Sequence, residues 1–120
     1  MDPLEAIVRE LRTFVAERDW AQFHYPKNLA MAVSSEAGEL LAEYRWLRSG
    51  EADTWTDEQK NRDRVAAEVA DVGIALLLFC DRTGIDLVSA IRSKIETNRT
   101  NYPADRSKGR RERPVEPRQP

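Results

Sequence analysis

The sequence holds one cysteine, Cys80, in 120 residues, which excludes an internal disulfide and any cysteine-rich metal site. Cys80 closes the longest apolar run, Val72 to Cys80, and is read there as a buried structural thiol, since a catalytic cysteine wants a cationic neighbour and some exposure. Asp81 and Arg82 follow at once, so the run falls well short of the roughly 18 apolar residues that cross a bilayer. Histidine is equally scarce, with His24 alone. No alternating strand pattern, internal repeat or glycine-rich phosphate loop is present. The start, MDPLEAIVRE, is acidic where a signal peptide is basic, and the expected location is cytoplasmic.

Charge is unevenly spread. Residues 104–120 contain six basic and three acidic side chains, so the net charge of -2 leaves -5 on the rest. An acidic body argues against a nucleic-acid surface. The tail has three prolines and almost no large apolar side chains, and is expected to be a basic, disordered extension of a domain spanning 1–103.

What the sequence does have is helical periodicity. Asp2-Pro3 followed by Leu4, Ile7, Val8, Leu11, Phe14 and Val15 gives a capped helix over about 3–18. A second begins at Pro26 and reaches about Leu47, and RSGEADTW then reads as a loop. Thr56 with Gln59 has the form of a capping box opening a third helix to about Arg82, where Gly84 stops it. Asp86 caps a fourth helix bearing Leu87, Val88, Ile91 and Ile95, limited by Pro103. The expected fold is all-α, a four-helix, bundle-like arrangement. Its apolar faces exceed what one such layer covers, and oligomerisation through helix surfaces follows.

Two carboxylate pairs interrupt these stripes. Counting from Leu29, the inward positions of the second helix are Val33, Glu36, Leu40 and Leu47, and Glu39 and Glu43 follow Glu36. On the third helix Val65, Val69, Val72, Leu76 and Phe79 define the inner face, with Glu68 and Asp71 on or beside it. One such pair alone is ordinarily a solvated face. Two on the apolar stripes of consecutive helices, with no lysine or arginine one turn from Glu36 toward the core, need a cation from outside. Hard oxygen ligands suit Mg²⁺, with Mn²⁺ as a substitute. Di-iron bundles use Glu-x-x-His pairs, which are absent. Glu43 stays open between an extra ligand, a proton acceptor and plain surface.

Glu36-x-x-Glu39 with Glu68-x-x-Asp71 resembles the signature of the all-α, MazG-like nucleoside triphosphate pyrophosphohydrolases. ERDWAQFHYPKNL, EAGELLAEYRW and SKIETNRTNYP resemble its dCTP pyrophosphatase branch, over roughly residues 4–103. The resemblance implies hydrolysis of a nucleoside triphosphate to the monophosphate and pyrophosphate, with Mg²⁺ on Glu36, Glu39, Glu68 and Asp71. Glu39 or Glu43 would take the proton of the attacking water. It implies phosphate contacts from Lys94, Asn98 and Tyr102, which recur at one-turn spacing, and a phosphate or subunit contact from Arg99. Trp20 and Trp46 would enclose the base, and His24 and Lys27 would line the mouth. It also implies a homodimer or a dimer of dimers. Ser35 stands where many members have glutamate, as in the dCTP-type branch. Where some relatives carry a base-contacting histidine on the first helix, this chain has Leu11 and Arg12. The preferred nucleotide is expected to be dCTP or a modified dCTP. The alternatives are dUTP, a broad set of dNTPs, or a metal-binding interaction module without turnover.

Overall fold

Among the described residues every regular element is helical, as the periodicity requires. The computed structural model describes residues 2–114, in two compact units that meet in sequence at Ile85 and Asp86. The first unit contains α1 (Pro3–Glu17), α2 (Pro26–Ala42), α3 (Ser49–Thr54) and α4 (Gln59–Thr83), with short 3-10 turns at Ala21–Phe23 and Trp55–Asp57. Asp2 caps α1 by accepting the Leu4 N–H at 3.1 Å, and Pro3 occupies the first turn, where its missing N–H has no partner to lose. Gly84 ends α4 in the left-handed region at φ 72°, which glycine enters without a Cβ clash.

Three details differ from the sequence reading. Helix α2 stops at Ala42, and the chain continues to Leu47 in tight turns, with Tyr44 donating to the Leu41 carbonyl at 2.9 Å and Leu47 to that of Tyr44 at 2.9 Å. The segment expected as a loop winds into α3. Thr56 does not cap α4, because it lies within the second 3-10 turn and the residue preceding the helix is the extended Glu58.

Helix α2 lies along α4, the largest packing contact between elements. Their direction follows from two contacts: Glu43 at the end of α2 meets Arg64 near the start of α4, whereas Glu36, two turns earlier, meets Glu68 and Asp71, further along α4. The helices are therefore antiparallel. Helix α1 joins α4 through Arg12, whose Nε donates to both Asp81 oxygens at 3.0 and 3.1 Å. This holds the Arg12 pKa above its ordinary value, chiefly through the hydrogen bond and then the carboxylate charge.

Among the described residues, the buried apolar side chains of this unit are Val15, Leu29, Ala75 and Cys80. Cys80 is thus enclosed, as expected. Along α4, Val65, Val72, Leu76 and Phe79 are half-buried, but Val69 points outward with 53% of its surface exposed. Glu68 takes the inward position instead. Ile7, Phe14, Met31, Leu41 and Ile74 are also exposed.

The second unit contains α5 (Leu87–Asn101) and α6 (Ala104–Ser107). Asp86 caps α5 by accepting the Ser89 N–H at 2.8 Å. At the far end Tyr102 leaves the helix, its N–H bonding the Asn98 carbonyl at 2.7 Å, and Pro103 prevents continuation. Val88, Ile91 and Ile95 are exposed. The segment read as a tail from 104 opens with the helical turn α6, and Arg113 Nη2 donates to Asn101 Oδ1 at 2.9 Å. Residues 115–120 lie outside the described residues. Among those described, no helix is long and apolar enough to cross a membrane.

Candidate metal centre

The antiparallel pairing of α2 and α4 brings Glu36 of the first carboxylate pair against both members of the second. One carboxylate oxygen each of Glu36, Glu68 and Asp71 lie within 4.8 Å of one another. Glu36 and Glu68 are half-buried and Asp71 is exposed, so the group opens from the helix interface to solvent. Glu39 is exposed and stands outside this trio. Glu36 and Glu68 owe their positions to the helical period: each replaces an apolar residue on a stripe that otherwise carries Val33 and Leu40, or Val65 and Val72.

Electrostatics mark Glu68 as the strained member. Its pKa is raised, first by desolvation and then by the charges of Asp71, Glu39, Glu36 and Glu43. No ion pair reaches Glu36, Glu39, Glu68 or Asp71 among the described residues. A concentration of hard oxygen donors with no internal counter-charge fits a divalent cation such as Mg²⁺ or Mn²⁺. Glu43 differs. It is ion-paired with Arg64, whose Nε lies 3.5 Å from its Oε2.

Arg64 is the group that sequence reasoning missed, together with Asn61. Arg64 Nη2 donates to Asn61 Oδ1 at 2.9 Å, and Asn61, 6% exposed, is the one buried polar side chain among the described residues. A signal existed: positions 61, 64, 68 and 71 recur at the three- and four-residue steps of one helix face.

The other candidate residues are placed as follows. Trp20 is partly exposed and meets Phe14 edge-on at 5.7 Å between ring centroids. The Arg18 guanidinium lies 3.6 Å over the Phe14 ring. Trp46 is 85% exposed, in the turns beyond α2, with the Arg45 guanidinium 5.4 Å from its ring centre. His24 is half-buried just after the first 3-10 turn, and Lys27 is exposed in the first turn of α2. In the second unit Lys94, Asn98 and Arg99 are exposed on α5, with Arg99 paired to Glu96 one turn back. Tyr102, just past the helix, is exposed as well.

Comparison with known proteins yields a consistent set. The chain is 41% identical over 106 residues to dCTP pyrophosphatase 1 of Rattus norvegicus, covering 88% of this chain and 62% of that protein. It is 41% identical over 101 residues to dCTP pyrophosphatase 1 of Homo sapiens, covering 84% and 59%. The chain thus spans about three fifths of the length of these curated relatives. Its fold superposes on the crystal structure of a pyrophosphatase from Archaeoglobus fulgidus with a TM-score of 0.79 and 36% identity, covering 86% of this chain and 94% of that one. The model of the MazG-like family matches residues 31–114, a stretch that includes both carboxylate pairs, and the chain belongs to the MazG-like family.

Proposed function

We propose that this protein is a Mg²⁺-dependent pyrophosphohydrolase that converts a nucleoside triphosphate to the monophosphate and pyrophosphate, acting on dCTP or a modified dCTP in cytoplasmic nucleotide house-cleaning. The observation that carries the reading is the convergence of Glu36, Glu68 and Asp71 without an internal counter-charge. The relatives named dCTP pyrophosphatase support the choice of base and sugar.

On this reading Glu36, Glu68 and Asp71 hold the cation and Glu39 completes the set from the exposed rim. When bound, the ion neutralises the triphosphate and favours ionisation of the attacking water, with Mn²⁺ as a workable substitute for Mg²⁺. Of the two candidate proton acceptors Glu43 is already committed to Arg64, which leaves Glu39, through the carboxylate oxygen that would not hold the cation. Lys94, Asn98 and Tyr102 offer an ammonium, an amide and a phenol to phosphate oxygens, and Arg99 must exchange Glu96 to join them. Trp20 and Trp46 supply flat faces for the base, with His24 and Lys27 at the mouth. The exposed Ile7, Met31, Leu41, Val69 and Ile74 support assembly into a homodimer or a dimer of dimers.

The test is incubation of purified protein with Mg²⁺ and each common dNTP and NTP, resolving monophosphate plus pyrophosphate from diphosphate plus phosphate. Metal-dependent pyrophosphate release, fastest on dCTP and lost in Glu36→Gln, is the expected result. Equal turnover across bases, or a preference for dUTP, keeps the chemistry and overturns the substrate. Metal-induced stabilisation with no turnover, including on modified cytidine triphosphates, identifies a binding module instead.

A further inference from the structure

Three carboxylates lie at one-turn intervals along α2 and its C-terminal cap, and the structure treats the last of them differently. Glu43 has a side chain only 20% exposed, where an unpaired charge is costly, and it faces the Arg64 guanidinium from α4. Arg64 is held at both edges: Nε lies 3.5 Å from Glu43 Oε2, and Nη2 donates to Asn61 Oδ1 at 2.9 Å. Asn61 is buried, so its amide is a fixed anchor, and its Nδ2 leans on Glu58 Oε2 at 3.4 Å. This chain of four polar groups ties the end of α2 to the first turns of α4. Glu68 follows Arg64 by one turn, a rise of about 6 Å along the helix.

We infer that Arg64 is a positioning residue: held by Asn61, it neutralises Glu43, keeps that carboxylate out of the cation's ligand set, and thereby sets how tightly the Glu36, Glu68 and Asp71 group takes a divalent ion. The inference rests on the metal-site reading above. Its physical content is a charge balance. The pair contributes no net charge beside the centre; without Arg64 it contributes a full negative charge, and without Glu43 a full positive one. A unit charge one helical turn, about 6 Å, from a divalent ion, in a water-rich and salt-screened boundary, changes its affinity by about three- to tenfold.

The experiment uses the full chain and Mn²⁺ alone as probe, with affinity read from the free Mn²⁺ signal in electron paramagnetic resonance. Four proteins are compared: wild type, Arg64→Gln, Glu43→Gln and the double variant. The expected pattern is opposite signs with restoration. Arg64→Gln binds Mn²⁺ about three- to tenfold more tightly, Glu43→Gln more weakly by a similar factor, and the double variant returns to the wild-type value. In parallel, Arg64→Gln has the lowest melting midpoint without metal and the largest rise on adding it. Arg64→Lys, which keeps the charge and loses the fork to Asn61, stays near wild type in affinity.

Unchanged affinity across all variants overturns the inference and leaves the metal centre standing. Loss of binding in Glu43→Gln that the second substitution does not restore makes Glu43 a direct ligand, and overturns it as well. The predicted pattern without nucleotide turnover refutes the pyrophosphohydrolase reading while upholding the inference. Absence of Mn²⁺ binding by the wild type refutes both.

Discussion

Replacing Glu68 by glutamine tests the centre from the side of stability, because the substitution has opposite consequences with and without a cation. In the metal-free protein the charged form of Glu68 is disfavoured by desolvation and by Asp71, Glu39, Glu36 and Glu43. Glutamine has nearly the same shape and no charge, so it relieves that repulsion, and the metal-free melting midpoint rises. With Mg²⁺ the ranking inverts. A ligand at a hundredfold excess over its dissociation constant stabilises the folded state by about 2.7 kcal/mol, which for a chain of this size raises the midpoint by about 10 °C. The variant lacks one of the three converging carboxylates and is expected to lose most of that rise. Differential scanning fluorimetry at fixed pH, with EDTA or with a Mg²⁺ series, reads both effects. A variant less stable than wild type in EDTA would refute the argument that Glu68 is strained, and an undiminished Mg²⁺ response would remove it from the ligand set.

Leu29 is 4% exposed in the first turn of α2, and Leu29→Ala should destabilise the protein by about 2–4 kcal/mol in urea unfolding; a loss under 1 kcal/mol would mean that α2 contributes little to the core. Gly84 holds φ 72° with nothing within 4 Å of an added Cβ, so Gly84→Ala should cost about 1 kcal/mol from backbone conformation alone, and an unchanged midpoint would show that the turn relaxes. Hydrogen bonds from the Ser89 backbone and hydroxyl hold the Asp86 pKa below its ordinary 3.8. Its stabilisation of α5 is accordingly complete above 3.8 and is lost as pH falls through the lower folded value. Asp86→Ala should lower helicity by circular dichroism at neutral pH and match wild type once the carboxyl of the latter is protonated; a deficit that persists in acid would assign the effect to something other than the charged cap.

Much of this architecture is legible in the residues, and the exceptions share a cause. The caps at Asp2 and Asp86 and the stop at Gly84 are local chemistry, and each forms as its residue type dictates. Helix α3 is six residues long, too short for a hydrophobic period, so a glycine and polar side chains disguise it as a loop. Val69 illustrates a different ambiguity. From Val65, a helical face continues at either the third or the fourth residue, and sequence favours the valine over Glu68. Packing against α2 decides for the glutamate, because that side of α4 faces Glu36.

The same limitation explains Arg64. The sequence displays only the neighbours of Glu36 on its own helix, whereas in an antiparallel pair the neighbour that neutralises a residue at the end of α2 belongs to the beginning of α4. Once that register is known, the acidic row sorts itself. Glu43 meets a cation supplied by the chain, and Glu36, Glu68 and Asp71 meet none. A helix interface that satisfied every carboxylate internally would have no use for a metal; one that satisfied none would repel itself apart before a metal arrived. Pairing the outermost glutamate and leaving the central three uncompensated does neither, and it localises the unbalanced negative charge, which a divalent ion would neutralise, at the place where the two helices are already held together.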